Sequence, residues 1–220
     1  MMTMRARRRA FSTAELLVAS TVSLIGFAAL YSVFSAQQKA LRAQAAYADV
    51  QTTTRSVLDL MGREIRMASY DPTGAALPVA PGPACPGVRR GLADATPTRV
   101  RFQQDLNGDG ALSASNEDLT YELVGTDLRR TDGVDAPVVL ASGLPSGGFV
   151  LRYFTGGNPS VELVPAGSPA ALTASQRDCV ARVRLTLRAV LPNPNPNDPR
   201  PLASQVSSEV AIRSRALGSL

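Results

Sequence analysis

The side chains able to do chemistry are few, and what is missing narrows the field. The 220-residue chain contains no His, which removes the commonest general base and a common metal ligand. Cys85 and Cys179 are its two cysteines, too few for a structural zinc site. Ser and Asp are scattered without a nucleophile motif, so the chain is not expected to be an enzyme. Three features remain: an oxygen-rich loop at Asp105, a carboxylate (Glu15) at the mouth of an apolar run, and the cysteine pair.

The loop Asp105-Leu106-Asn107-Gly108-Asp109-Gly110 puts oxygen side chains at alternate positions and Gly at the bend. An EF-type calcium loop begins this way, because alternating ligands wrap a hard cation. Such a loop also needs an acid at its twelfth residue. That residue is Asn116, with Glu117 one place late and Asp118 after it. Asp105, Asn107, Asp109 and Glu117 are therefore the candidate calcium ligands, although no cofactor is required. A polar β-turn explains the same residues, since Asn-Gly and Asp-Gly are strong turn signals.

The elements that hold these groups begin with residues 16–34, which carry no charge. As a helix they would span about 28 Å, close to a bilayer's hydrocarbon thickness. Arg5, Arg7, Arg8 and Arg9 precede the run, and Lys39 and Arg42 follow it. That asymmetry predicts a cytoplasmic N-terminus and an external remainder. An acid costs free energy in lipid, so neither a secretory signal nor a plain anchor accounts for Glu15. An external location favours a Cys85–Cys179 disulfide, worth about 4–5 kcal/mol for a loop of about 94 residues. Two free thiols are the alternative.

Past the apolar run, Val50, Thr54, Val57, Leu58, Met61, Ile65 and Ala68 recur at steps of three and four, with Arg55, Asp59, Arg63 and Arg66 off the stripe. This predicts an amphipathic continuation of one helix over about residues 12–69. Asp71-Pro72-Thr73-Gly74 stops it. Residues 73–98 read as an irregular loop. Strands are expected at 99–104, 118–124, 127–131, 137–141, 149–154, 161–164, 179–191 and 205–212. One long helix followed by strands implies an α+β class, with the helix packed on an antiparallel β-sheet. Residues 192–201, rich in Pro and Asn, read as an extended, solvated loop.

The formal charge is +5, from 23 basic and 18 acidic residues, and four of the basic ones are the leading arginines. No nucleic-acid partner is expected. Arg89-Arg90 and Arg129-Arg130 read as solvated loop and strand-edge charges.

The stretch Arg7-Arg8-Arg9-Ala10-Phe11-Ser12-Thr13-Ala14-Glu15 and its apolar run resemble the N-terminus of type IV prepilins and pseudopilins. The resemblance implies a pilin fold and cleavage between Ala10 and Phe11 by an inner-membrane prepilin peptidase. It also implies N-methylation of Phe11. Ala10 stands where the family usually has Gly. Glu15 becomes the family's acid, four residues after the new N-terminus, setting subunit register by pairing with a neighbour's Phe11 amine. The run Arg63-Glu64-Ile65-Arg66 before Tyr70-Asp71-Pro72 is similar to the helix end of PilW-type minor pilins, where it docks helix to globular domain. The segment Ser208-Glu209-Val210-Ala211-Ile212-Arg213-Ser214 resembles the last strand of that group.

The expected organisation is a removed leader (1–10), a transmembrane or filament-core helix (11–35), its amphipathic half (36–70) and a periplasmic β-rich domain (71–220). The location is the inner membrane by a single pass, then the pilus. The expected function is that of a minor pilin in a priming or tip complex of a type IV pilus. Its expected partners are other minor pilins, the major pilin, the prepilin peptidase, the inner-membrane assembly platform and a tip adhesin. The alternatives are a J-type pseudopilin of type II secretion, a membrane-anchored periplasmic enzyme, and a calcium-binding adhesive module.

Overall fold

The computed structural model describes residues 12–82, 85–191 and 200–216. Its elements in chain order are α1 (Thr13–Met67), β1 (Leu92–Ala95), β2 (Arg99–Gln103), β3 (Asp118–Val124), β4 (Asp127–Asp132), β5 (Val138–Ala141), β6 (Phe149–Phe154), β7 (Glu162–Leu163), α2 (Ala174–Asp178), β8 (Arg182–Leu191), β9 (Leu202–Ala211) and α3 (Arg213–Ala216). The chain divides into two compact units, with the boundary between Ala46 and Tyr47.

In the first unit, α1 leaves its large apolar side chains uncovered. Leu16, Leu24, Ile25, Phe27 and Tyr31 are 67–74% exposed. The helix is long and apolar enough to cross a membrane by length and composition. The Ser and Thr hydroxyls of residues 16–34 are already satisfied. Ser20, Thr21, Ser23 and Ser32 each donate to a carbonyl three or four residues back, at 2.7–2.9 Å. An apolar phase tolerates polar side chains on those terms.

The second unit is α+β: the last turns of α1 pack on antiparallel sheets. Thr54, Val57, Leu58, Met61 and Ile65 are buried, and Arg55, Asp59, Arg63 and Arg66 are exposed, as the stripe predicts. The first sheet is the meander β1-β2-β3-β4-β5, and the second runs β7-β6-β8-β9. Inward residues alternate along β3 (Leu119, Tyr121), β6 (Phe149, Leu151, Tyr153) and β8 (Val183, Leu185, Leu187), forming one core with the helix stripe. Gly62 lets the helix lie against β9, where an added Cβ would stand 3.2 Å from Val210.

Two sheets replace the single one expected. β5 is short and its register slips at Leu128/Arg129. The following turn buries Leu144, and β6 pairs with β8 instead. The segment 73–98 is not wholly irregular, since β1 lies within it and joins β2. The strand expected from residue 179 starts at Arg182. Thr173 and Gln176 form a capping box for α2, and Cys179 is that helix's C-cap. The expected strand at 161–164 shrinks to β7. Most of the Pro/Asn-rich stretch, residues 192–199, lies outside the described residues.

α1 ends where Ser69 turns to φ 65°. The Ser69 N–H donates to the Gln103 carbonyl at 2.9 Å, and its hydroxyl accepts from the Gly91 N–H at 3.1 Å. Gly91 is required here, because a Cβ would stand 2.4 Å from the Ser69 Cα.

Candidate functional site

Three places carry the candidate residues. The first is the start of α1. Ala10 and Phe11, the expected cleavage and methylation positions, lie outside the described residues. Glu15 lies inside them and is not an orphan. Its Oε2 accepts from the Ser12 N–H at 3.0 Å, and the Ser12 Oγ accepts from the Ala14 N–H at 3.2 Å. Ser12 is the N-cap, because its carbonyl accepts the first helical bond, from Leu16, at 3.1 Å. The acid therefore caps its own helix from the third helical position, in the manner of a capping box. The Ser-x-x-Glu spacing was available in the sequence as that signal.

The second place is the helix end. Glu64, on the last turns of α1, accepts from the Tyr121 hydroxyl. Arg130 on β4 grips the same carboxylate, with Nη2 at 3.0 Å from Oε1 and Nε at 3.2 Å from Oε2. Both side chains of this ion pair are only 17% exposed. Burial and the Glu64 carboxylate push the Tyr121 phenol well above its ordinary pKa. Burial pulls the Arg130 guanidinium down, but Glu64 more than reverses this, so its pKa is raised. Arg130 also donates to the Asn116 side chain. Arg130 is thus no solvated strand-edge charge: it ties helix, sheet and loop together. Glu64 lies 57 residues from Tyr121 and 66 from Arg130, so no local signal exposed the group.

Asp71 extends this junction. Its side chain is fully buried and accepts from the N–H groups of Gly74 at 2.6 Å and Leu77 at 2.8 Å. Burial raises its pKa, but those two bonds and the nearby Arg89 outweigh this, leaving it lowered. Arg89 in turn donates to the carbonyls of Gly74 and Leu77. Nearby, Cys85 and Cys179 form a disulfide with a Cα–Cα distance of 5.4 Å, fastening the segment after α1 to the C-cap of α2.

The third place is the loop from Asp105 to Glu117, in which Asp105 and Glu117 are fully buried and Asp109 is exposed. Asp105 accepts from the N–H groups of Gly108 at 2.7 Å and Gly110 at 3.0 Å. Glu117 accepts from the N–H groups of Leu106 at 3.1 Å and Ala114 at 2.9 Å. The Asn107 amide donates to the Asp109 carboxylate at 2.8 Å. Asn116, the twelfth residue, turns to Arg130 instead. Backbone N–H groups thus engage both buried acids, and among the described residues no three His, Cys, Asp or Glu side chains gather around a point suited to a metal ion.

The chain matches no family model, no curated protein and no solved structure.

The Glu64 group holds a helix to a sheet, the disulfide and Asp71 hold loops, and Glu15 stands at the head of an uncovered apolar helix.

Proposed function

We propose that this chain is a minor pilin, a structural subunit of a type IV pilus priming or tip complex, built on a pilin fold. The observation that carries the reading is Glu15: a carboxylate in the first turn of α1, followed by apolar side chains with no protein cover. In the isolated subunit the acid accepts from the Ser12 N–H, which lowers the cost of placing it at a membrane boundary. In an assembled bundle it would exchange that weak partner for the charged Phe11 amine of a neighbour. A pair formed at low dielectric favours one axial offset. The globular unit then supplies the surface by which this subunit differs from its neighbours in the complex. The inner membrane holds the subunit before assembly, with its globular unit in the periplasm.

Mass spectrometry of the native N-terminus tests the first half of the reading. The expected result is N-methyl-Phe11; a retained arginine leader overturns it. Glu15→Gln tests the second half. Gln serves a capping box as well as Glu does, so helix and membrane placement should persist while entry into the pilus complex fails. Assembly at the parental level in this variant would reduce Glu15 to a helix cap.

A further inference from the structure

Where α1 ends, a cavity of about 500 Å³ opens, lined by Arg66, Met67, Tyr70, Leu106, Arg213 and Ser214. Tyr70 is 39% exposed and Leu106 is 42% exposed, so the cavity offers an apolar wall to solvent. Arg66 and Arg213 are exposed as well. Nine other arginines pair with a carboxylate among the described residues. Arg66 and Arg213, like Arg63 and Arg188, have no carboxylate partner among the described residues. The adjoining groove shares Arg66 and adds Arg63, whose Nε reaches only the Asp59 backbone carbonyl at 3.3 Å. The one carboxylate lining that groove is Asp59.

Arg66 has a local reason to exist, since a cation in the last turn complements the helix dipole. Arg213 lies in the single turn of α3, too short for a dipole to account for it. Two guanidiniums lining one cavity offer charge-assisted hydrogen bonds to an anion that enters it. The exposed Tyr70 and Leu106 select an anion with apolar neighbours.

We propose that this cavity is a docking site for an acidic segment of a partner protein, one carrying two or more carboxylates and a large apolar side chain. The carboxylates sit on Arg66 and Arg213, and the apolar side chain sits against Tyr70 and Leu106. A concave site of this volume suits side chains of a peptide better than a lipid surface, which would meet a broad convex face. The inference rests on the pilus reading for the partner's identity, a neighbouring subunit, and not for the binding chemistry.

The test uses the full chain in neutral detergent and fluorescence anisotropy. The probe is a dye-labelled, end-blocked nonapeptide with three Glu and two Leu, and its control has Gln in place of Glu. The acidic peptide should bind at least about tenfold tighter than the control. Binding should weaken as salt rises from about 50 to about 300 mM. Arg66→Gln and Arg213→Gln should each weaken it about fivefold, and the pair of changes by more than tenfold. Arg188→Gln removes an exposed charge from β8 and should change nothing. Arg213→Lys keeps the charge and should recover part of the loss.

Equal loss in Arg188→Gln would mean net charge alone and overturns the site. So does undiminished binding in the double variant, or a preference of the same arginines for phosphatidylglycerol vesicles over the peptide. Binding that appears only after residues 217–220 are deleted also overturns it, by making the chain's own end the occupant. Failure of peptide binding in a protein that starts at N-methyl-Phe11 removes this inference and leaves the pilus reading. Binding by a protein that keeps its leader does the reverse.

Discussion

Along α1, residues 16–34 and residues 54–65 carry comparable apolar side chains in opposite surroundings. Leu24 is 67% exposed and Leu58 is 2% exposed, although both lie on the same helix. Around residues 16–34 the apolar side chains show no directional stripe, and the polar ones fold back onto their own carbonyls. Around residues 54–65 the apolar side chains fall on one face and charges on the other. A helix apolar all round needs an apolar phase or other helices, and a one-sided helix needs a sheet. One element thus makes two commitments, to a surrounding medium and to its own globular unit, and each can be disturbed without the other.

The largest separable effect belongs to the disulfide. Cys85→Ser or Cys179→Ser reopens a loop of 94 residues, costing about 4–5 kcal/mol in the loop-closure account. Denaturant melts of the globular unit should register the loss, while membrane retention of residues 16–34 is unchanged. Loss of retention as well would join what the comparison separates.

A matched pair sharpens it next. Leu58→Ala should cost about 2–5 kcal/mol by leaving a cavity in the core. Leu24→Ala should leave the globular unit's melting temperature unchanged, since nothing in the subunit packs over it. The Glu64 junction should follow closely. Glu64→Gln leaves the half-buried Arg130 without its counter-charge, at a cost of about 2–3 kcal/mol. Tyr121→Phe removes one hydrogen bond, at about 1 kcal/mol. The double variant should cost less than the sum, because both changes act on one network.

How legible this was depended on distance along the chain. The stripe Val57, Leu58, Met61, Ile65 and Ala68 was readable because helical periodicity is local, and every member is buried. The longer strands were readable for the same reason, with β3 and β6 found at the bounds expected. β1 was hidden because Leu92–Ala95 is short and lies in Gly- and Pro-rich sequence. α2 was missed, although Thr173 and Gln176 carry a capping signal three residues apart, as Ser12 and Glu15 do at the start of α1; such short pairs do not stand out without a structure. The split into two sheets, and the meeting of Glu64 with Tyr121 and Arg130, depend on contacts 57 and 66 residues apart. No window of sequence contains them. The disulfide was readable by elimination once an oxidising side of a membrane was assumed, as two cysteines allow one pairing.

Acid should act on the second unit through two carboxylates. Asp71 and Asp118 both have lowered pKa values. For Asp118 the Arg101 hydrogen bonds lead, at 2.6 and 2.8 Å. Each carboxylate is more easily ionised when folded, so its stabilisation is complete above the ordinary value of 3.8. It is lost as pH falls from there through the lower folded value. Asp71→Asn should therefore melt below the parent at neutral pH, and the gap should narrow below about pH 3.8. A gap that held constant into acid would mean that Asp71 acts by shape and not by charge.

The smallest effect should come from calcium. The loop's two buried acids, Asp105 and Glu117, already accept from four N–H groups at 2.7–3.1 Å. An ion would have to draw these oxygens off the backbone and strand those donors, each costing roughly 1–3 kcal/mol if left buried and unpaired. The loop's twelfth residue, Asn116, accepts from Arg130, a positive charge that repels a cation. Adding millimolar calcium, or removing it with chelator, should therefore leave the melting temperature and the titration heat at baseline. A clear rise in melting temperature would mean that the loop has a second, ion-filled arrangement. Asn116 would then be expected to release Arg130, so calcium would also loosen the clasp on Glu64 and couple this loop to the packed end of α1.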